Sequence, residues 1–381
     1  MRIVIAPQEF KGTLTAAEAA MAMAEGVRRA VPEAGLDTVP LSDGGPGLVD
    51  AILSSRGGRL IRTPVHDPLG RHVEAAWALL DDGAAVIEMA AAAGLTLLRE
   101  DERDPCSTTT YGVGELASAA LDAGARRLII GVGGSATNDG GAGMACALGV
   151  RFLDAEGREL PPGGGPLAAL DRIDITGIDP RVRQAEAVAA TDVRNPLCGP
   201  EGASIVYGPQ KGASPDVARE LDAALSHYAR VVERDLGVSI RDIPGSGAAG
   251  GLGAGLIAFL GAEIRSGFDI VAETVSLRER LRGADLLLTG EGRLDRQTAY
   301  GKAVARVAAM AREEGVPVVV IAGSRGEGWE EVLAIVETVD AVVGDGVTME
   351  DAVARPRELL ARTVERAVRE WLGDVEPGGR P

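Results

Sequence analysis

One segment, RLIIGVGGSATNDGGAG from Arg127 to Gly143, constrains the fold of this chain more than any other. Its apolar start predicts a buried parallel strand, and the residues after its last glycine predict the beginning of a helix. A glycine-rich loop between a strand and a helix directs backbone N–H groups at an anion, most often a phosphate. The polar residues in the loop favour a ligand site over a plain tight turn. The loop matches neither G-x-x-x-x-G-K-[ST] nor a regular G-x-G-x-x-G, so no standard phosphate motif is present.

Parallel-sheet patterns occur at both ends of the chain, and a different pattern separates them. Near the N-terminus the strand RIVIA leads into PQEFKG, and near residue 290 a strand leads into GEGRLDRQT. Between them, residues 59–89 predict three antiparallel strands separated by DPLG and DDG turns. We predict an α/β fold of two domains. A parallel-sheet domain of residues 1–66 and 285–381 is interrupted by a mixed α/β domain of residues 67–284, and ligand clefts commonly lie between such domains.

Lysine usage singles out three positions. The chain has 39 lysine and arginine residues, but only Lys11, Lys211 and Lys302 are lysines, and each stands beside a glycine. A lysine retained in an arginine-rich chain indicates a place where a compact ammonium group is needed and a guanidinium does not fit. The two asparagines, Asn138 and Asn195, also lie in polar segments rich in glycine or proline.

Charge and cysteine content exclude several classes of partner. A net charge of −17 argues against binding to nucleic acid or to an anionic membrane. No apolar run reaches the ~18 residues that span a bilayer. Three widely spaced cysteines argue against a disulfide framework and favour a reducing cytoplasm. A small-molecule substrate is therefore the expected partner.

The polar loops contain the groups that phosphoryl transfer requires. Besides the three ammonium groups and many glycine amides, they hold several carboxylates: Asp43, Asp139, Asp192, Glu291 and Asp295. Phosphoryl transfer needs charge neutralisation, carboxylates that hold Mg²⁺, and a group that orients or deprotonates the attacking hydroxyl. The three histidines lie near no G-x-S-x-G elbow, and a zinc site lacks ligands.

Long motifs in a fixed order carry a family resemblance. They run from IAPQEFKGTLTA through SDGGPG, GVGGSATNDGGAGMACALG, TDVRNPLCGPEGAS and YGPQKGA to TGEGRLDRQTAYGK. With these motifs the chain resembles the bacterial glycerate kinases of the first type. The resemblance implies a flavodoxin-like domain interrupted by a second α/β domain. It also implies phosphorylation of D-glycerate with ATP and Mg²⁺, usually to 2-phosphoglycerate.

Two loops depart from the family pattern. Gln8 and Glu9 stand where the family usually has Asp-Ser, and Pro46 and Leu48 stand where it has Glu and Thr. Gln8 can form hydrogen bonds but cannot hold Mg²⁺ as an aspartate would. We expect both changes to lie in the discontinuous domain, opposite the central glycine loop, and to affect substrate preference or rate.

The resemblance and the loop chemistry together suggest roles for individual residues. Asp192 is the candidate base or Mg²⁺ ligand, and Lys11 and Lys211 are expected to neutralise phosphoryl or carboxylate charge. Arg194 and Asp295 complete the catalytic candidates. For ATP, the candidates are Gly133, Gly134, Ser135, Asn138, Asp139, Gly140, Gln210 and Lys302. For the substrate they are Asp43, Gly44, Gly45, Asn195 and Arg293, and for the metal they are Asp43, Asp192 and Glu291.

Two other functions stay open at this point. The altered loops are compatible with a kinase that acts on another small hydroxy acid or polyol. A nucleotide- or metabolite-binding protein without catalytic activity would contain the same glycine loop. The dinucleotide oxidoreductases are less well matched, because they require a regular G-x-G-x-x-G with a spaced acidic partner. A homodimer is the expected assembly.

Overall fold

The computed structural model of the chain describes residues 1–299 and 303–374. Its contacts divide the chain into two compact units. The first unit consists of Met1–Ser42 and Val271–Pro381, and the second consists of Asp43–Ile270. No helix among the described residues combines the length and the apolar character that a membrane crossing needs.

Strands and helices alternate along most of the chain. In chain order, the strands are β1 (Arg2–Ile5), β2 (Gly35–Thr38), β3 (Arg59–His66), β4 (His72–Leu79), β5 (Ala84–Glu88), β6 (Arg127–Gly131), β7 (Arg151–Leu153), β8 (Arg172–Asp174), β9 (Glu186–Ala190), β10 (Glu263–Arg265), β11 (Leu286–Leu294), β12 (Val318–Arg325) and β13 (Thr338–Ala341). The helices are α1 (Ala16–Ala30), α2 (Leu48–Arg56), α3 (Ala90–Ala93), α4 (Tyr111–Asp122), α5 (Ala142–Ala147), α6 (Ala203–Tyr207), α7 (Pro215–Leu236), α8 (Ala248–Leu260), α9 (Gly267–Thr274), α10 (Leu277–Leu281), α11 (Arg296–Ala299), α12 (Ala303–Glu313), α13 (Met349–Ala354) and α14 (Pro356–Asp374).

The first unit is built on a parallel sheet with the order β13-β12-β11-β1-β2. Numbered within the unit this is 2-1-3-4-5, the order of flavodoxin-like sheets, which confirms the predicted fold class. Ile3 and Val4, which point to opposite faces of β1, are both fully buried, as expected for a sheet covered on both sides. Helix α1 begins at a capping box of Thr15 and Glu18, as its T-x-x-E sequence predicts.

The second unit is built on a mixed sheet with the order β10-β9-β6-β5-β4-β3. The four strands from β10 to β5 run parallel, whereas β4 and β3 are antiparallel to their neighbours. The three-stranded meander predicted for residues 59–89 is therefore present, joined to a parallel sheet. One large apolar core surrounds this sheet and includes the buried rings of Trp77 and Tyr228.

The unit boundaries lie at 42/43 and 270/271, whereas the sequence placed them at 66/67 and 284/285. Strand β3 pairs with β4 along its whole length, and Val49 N in α2 donates to Glu88 Oε1 at the end of β5. These long-range bonds place residues 43–66 in the second unit. In the other direction, Arg280 in α10 forms an ion pair with Asp37 in β2, which ties residues 271–284 to the first unit.

Candidate active site

In the first unit, the loops after β1 and β11 meet at the carboxyl edge of the sheet. Gln8 N donates to Gly290 O at 2.8 Å, and a Cβ atom built on Gly292 would lie 2.9 Å from Lys11 N. The exposed Lys11 therefore lies beside the segment that contains Glu291 and Arg293. These two strands flank the point where the strand order reverses, which is where such sheets bind ligands.

A buried threonine, which the sequence reasoning missed, binds the Glu291 carboxylate and the Asp295 backbone at this edge. Thr298 Oγ1 donates to Glu291 Oε1 at 2.6 Å and accepts from Asp295 N at 3.2 Å. The Thr298 side chain is fully buried, so Glu291 is held from the interior. The spacing of Asp295 and Thr298, three residues apart at a helix start, was the available signal. Lys302, predicted to contact ATP, lies outside the described residues.

In the second unit, the central glycine loop is open to solvent at only two of its candidate residues. Gly133 is half-buried and Gly134 is exposed, with a left-handed φ of 76°. The other four candidate loop residues, Ser135, Asn138, Asp139 and Gly140, are buried. The loop therefore presents backbone at its surface and keeps its polar side chains inside.

Asp139 anchors this loop from the interior. Its carboxylate accepts hydrogen bonds from Thr110 N at 2.8 Å, from Thr110 Oγ1, from Gly141 N and from Gly143 N. Burial raises the pKa of Asp139 above its ordinary value, and these hydrogen bonds oppose that rise. The carboxylate thus joins the loop to the starts of α4 and α5, so its place in the fold is structural.

Asn138 and Lys211 lie in the interior as well. Asn138 Nδ2 donates to Ser204 Oγ at 2.9 Å, and Lys211 Nζ donates to Thr137 O at 2.6 Å. Lys211 is only 1% exposed, and burial lowers its pKa to about 7 against the opposing field of Asp139. The neighbouring Gln210, in contrast, is exposed.

The Asp43–Gly45 segment lies at the carboxyl edge of the second sheet. Gly133 N donates to Gly44 O at 3.2 Å, and a Cβ atom built on Gly44 would lie 2.4 Å from Ala190 O at the end of β9. A Cβ atom on Gly133 would lie 2.5 Å from Gly45 Cα. The prediction that this segment belongs to the discontinuous domain is wrong, because glycine allows it to pack directly on β6 and β9.

Two residues after β10 connect Asp43 with Asp192. A Cβ atom built on Gly267 would lie 2.3 Å from Asp43 O, and Phe268 N donates to Asp192 Oδ2 at 3.3 Å. The sequence reasoning missed Gly267 and Phe268, which only the pairing of β10 with β9 brings to this edge. The structure therefore gathers Asp43, Asp192 and the glycine loop within one unit.

Asn195 and Arg194 follow Asp192 but differ in their surroundings. Asn195 Nδ2 donates to Glu201 O at 2.7 Å, and its Oδ1 accepts from Tyr207 Oη at 2.9 Å. Both functional atoms of this amide therefore hold the 195–207 segment together. The Arg194 side chain is exposed.

Comparison with known proteins identifies the family. The glycerate kinase family model matches residues 3–372. A glycerate kinase of Bacillus subtilis strain 168 is 48% identical over 365 residues, which is 95% of this chain and 96% of the relative. The glycerate 2-kinase of Escherichia coli K12 is 50% identical over 325 residues, or 85% of each chain. A crystal structure from Salmonella typhimurium LT2, provisionally described as glycerate kinase 2, is 45% identical in sequence and superposes with a TM-score of 0.84. The match covers 98% of this chain and 98% of that chain.

The chain belongs to the glycerate kinase family. It is therefore an enzyme of the kinase class. The match extends over both units, so the family assignment includes the flavodoxin-like sheet and the mixed sheet alike.

Pro46, one of the departures from the usual family pattern, does not lie where the sequence predicted. A Cβ atom built on Gly134 would lie 3.5 Å from Pro46 Cγ, so the proline ring packs beside the exposed glycine of the central loop. The expectation that this departure lies opposite the loop is wrong, because the Asp43–Gly45 segment carries Pro46 onto the second sheet. Gln8 and Glu9 do lie in the first unit.

The metal candidates are divided between the two units. Asp43 and Asp192 lie in the second unit, whereas Glu291 lies in the first. Within the described residues, no group of three or more histidine, cysteine, aspartate or glutamate side chains is gathered closely enough to hold a metal ion. Magnesium in kinases usually takes one or two carboxylates and completes its shell with substrate phosphates and water. Asp43 and Asp192 are two carboxylates of one sheet edge, where residues 267–268 contact the Asp43 backbone and the Asp192 side chain.

Proposed function

We propose that the protein phosphorylates D-glycerate with ATP and forms 2-phosphoglycerate by in-line transfer of the γ-phosphoryl group. The observation that carries this proposal is the 48–50% identity to named glycerate kinases over 85–95% of the chain. The Escherichia coli relative, named a glycerate 2-kinase, supports the 2-position. The phosphoryl-transfer groups found at two sheet edges support the same chemistry.

In the second unit, the half-buried Gly133 and the exposed Gly134 are assigned to the phosphates of ATP, and Gln210 is the exposed side chain assigned with them. Gly134 adopts a left-handed φ of 76°, which glycine tolerates without strain, and the missing Cβ atoms of Gly133 and Gly134 make room for Gly45 and Pro46 beside the loop. The remaining loop candidates, from Ser135 to Gly140, support the shape of this surface from inside.

Asp192 is assigned as the base that receives the proton of the glycerate hydroxyl, or as a Mg²⁺ ligand beside Asp43. Both carboxylates belong to the second unit, and residues 267–268 touch both segments. When bound, Mg²⁺ would neutralise charge on the phosphates. Phe268 N holds Asp192 Oδ2 in place, which fixes the direction in which the carboxylate can accept a proton.

In the first unit, Lys11 and Arg293 are assigned to anionic groups of the substrates. Both side chains are exposed at the carboxyl edge of β1 and β11. Their positive charge opposes the negative field of a chain with a net charge of −17. Glu291, whose carboxylate accepts from Thr298, and Asp295 remain the alternative metal or base positions. In the second unit, Arg194 and Asn195 are assigned to positioning the substrate.

Product analysis tests this proposal directly. Purified protein is incubated with ATP, Mg²⁺ and D-glycerate, ADP is measured by a coupled assay, and the product isomer is identified by ³¹P NMR. L-glycerate and a panel of other hydroxy acids and polyols serve as matched substrates. ADP formation that needs D-glycerate, together with a 2-phospho product, is expected. A higher kcat/KM for another acceptor would replace the substrate assignment, and a 3-phospho product would replace the position.

We further propose a cytoplasmic location and a homodimeric assembly for this enzyme. Cys106, Cys146 and Cys198 are free thiols, as expected in a reducing compartment. The strong negative charge argues against nucleic acid and anionic membranes as partners. Sedimentation velocity at micromolar concentration would test the dimer.

A further inference from the structure

Lys211 differs from an ordinary phosphate-binding lysine, because its ammonium group lies inside the protein. The side chain is 1% exposed, and lysine is almost never fully buried unless it is paired. Among the described hydrogen bonds and ion pairs, its partner is the backbone carbonyl of Thr137, 2.6 Å from Nζ. This carbonyl belongs to the central glycine loop, so the ammonium touches the loop from its interior side.

The loop is held from the interior at the next residues too. Asn138 is bound to Ser204, and the Asp139 carboxylate is bound to Thr110 and to the amides of Gly141 and Gly143. Gly140 N donates to Gly250 O at 3.1 Å in the left-handed turn that begins α8. Lys211 thus supplies the attachment at Thr137, while separate segments hold the residues on both sides of it. Before Thr137, Gly133 N donates to Gly44 O, Leu95 N donates to Gly134 O and Ala136 N donates to Ala93 O.

The interior around this loop is unusually polar. Within the described residues, three buried side-chain oxygens have no hydrogen-bond partner: Thr137 Oγ1, Asn138 Oδ1 and Ser246 Oγ. Thr137 and Asn138 belong to the loop, and Ser246 belongs to the segment leading to Gly250, where a Cβ atom would lie 2.0 Å from Thr137 O. Buried polar groups cost stability when unpaired, and sites that keep them are often functional.

We infer that Lys211 is a positioning residue, which fixes the Thr137 carbonyl and, together with the backbone hydrogen bonds of Gly133 and Gly134, holds the central glycine loop in the geometry that binds the phosphates of ATP. This inference rests on the proposed function for the identity of the ligand. Lys211 does not touch the transferred group; it acts through the loop. A small misplacement of a positioned group can cost up to about 10²-fold in rate, so loss of this buried attachment is expected to weaken the contact of the loop with the phosphates.

Steady-state kinetics of Lys211→Met test the inference. Methionine retains a long flexible stem and removes the ammonium group. The expected result is a KM for ATP raised by about tenfold or more, a KM for D-glycerate changed by less than about twofold, and faster hydrogen exchange of the 133–141 amides. Arg219→Met is the matched control, because it removes one exposed positive charge from the same unit and is expected to leave both KM values unchanged.

Two outcomes would overturn the inference. If both the KM for ATP and kcat are unchanged, Lys211 is a packing residue only. A large loss of kcat with an unchanged KM for ATP would indicate direct contact with the transition state. Lys211→Gln, which keeps a shorter donor for Thr137 O, is measured alongside it and is expected to raise the KM for ATP less than Lys211→Met does. ATP binding, measured as a thermal shift of each variant, needs no acceptor substrate and so separates this test from the proposed function. A wild type that binds ATP but does not phosphorylate glycerate would refute the proposed function alone.

Discussion

Replacing Lys211 by methionine should change the pH dependence of stability in a defined direction. Burial lowers the pKa of Lys211 from its ordinary value of 10.5 to about 7. Between these pH values the unfolded chain binds more protons at this group than the folded protein, so the stability of the wild type rises with pH. Below pH 7 the wild type bears the full free-energy cost of burying the charged Lys211 ammonium, and this cost disappears as the pH approaches 10.5.

The size of the effect follows from the same shift. At about 1.4 kcal/mol per pKa unit, a charged Lys211 costs the folded state about 5 kcal/mol relative to the neutral amine. The variant leaves Thr137 O without its donor, which costs about 1–2 kcal/mol at every pH. We therefore expect Lys211→Met to be more stable than the wild type by about 3 kcal/mol at pH 6, with the advantage reduced by about 2–3 kcal/mol at pH 9.

Thermal unfolding of both proteins from pH 6 to pH 9 measures this difference. For a unit of this size, 1 kcal/mol corresponds to roughly 2–4 °C in Tm, so the change in the Tm difference should be several degrees. Asp139 is present in both proteins, and burial raises its pKa in the wild type. Its attraction to the Lys211 ammonium, which raises the pKa of Lys211, exists in the wild type and not in the variant. Parallel Tm profiles across this pH range would refute the reasoning, because they would show that Lys211 does not titrate differently in the folded state.

Three further predictions concern the sheet edges. Asp192→Asn should lower kcat by at least ~10²-fold if this carboxylate is the base; near-normal turnover would remove it from that role. Gly44→Ala should lower Tm and activity, because its Cβ atom would lie 2.4 Å from Ala190 O. The control Gly47→Ala has a similar φ of 93° but no atom within 4 Å of its Cβ position, and it should cost only about 1 kcal/mol in unfolding free energy. Equal losses of stability in the two variants would contradict the packing argument. Thr298→Val should alter kcat or KM by releasing Glu291, while Thr298→Ser should retain activity; identical kinetics for both variants would show that the hydroxyl is not needed.

Much of the architecture could be predicted because it depends on local patterns. The alternation and turn residues of 59–89 predicted the meander, and the T-x-x-E sequence predicted the start of α1. The glycine loop after an apolar strand lies between β6 and α5, as its residues indicate. The family motifs and the phosphoryl-transfer inventory led to the kinase assignment that the comparisons confirm.

Which polar residues face a ligand and which lie inside could not be predicted. Lys211 and Lys11 both stand beside a glycine, yet one is 1% exposed and the other is exposed at a sheet edge. The difference arises from a contact between residues 74 positions apart, which no local pattern records. The same holds for Asp139, whose carboxylate is enclosed by a threonine from another helix start.

The sequence by itself determined the two-domain α/β class, the position of the glycine loop between a strand and a helix, and the class of reaction, because periodicity, glycine placement and residue chemistry are local properties. The tertiary structure alone decided that residues 43–66 belong with the second sheet and that Pro46 lies beside Gly134. It also decided that Lys211 contacts the loop from within. These outcomes depend on strand pairing and burial, which bring distant segments together and set the dielectric environment of each charge.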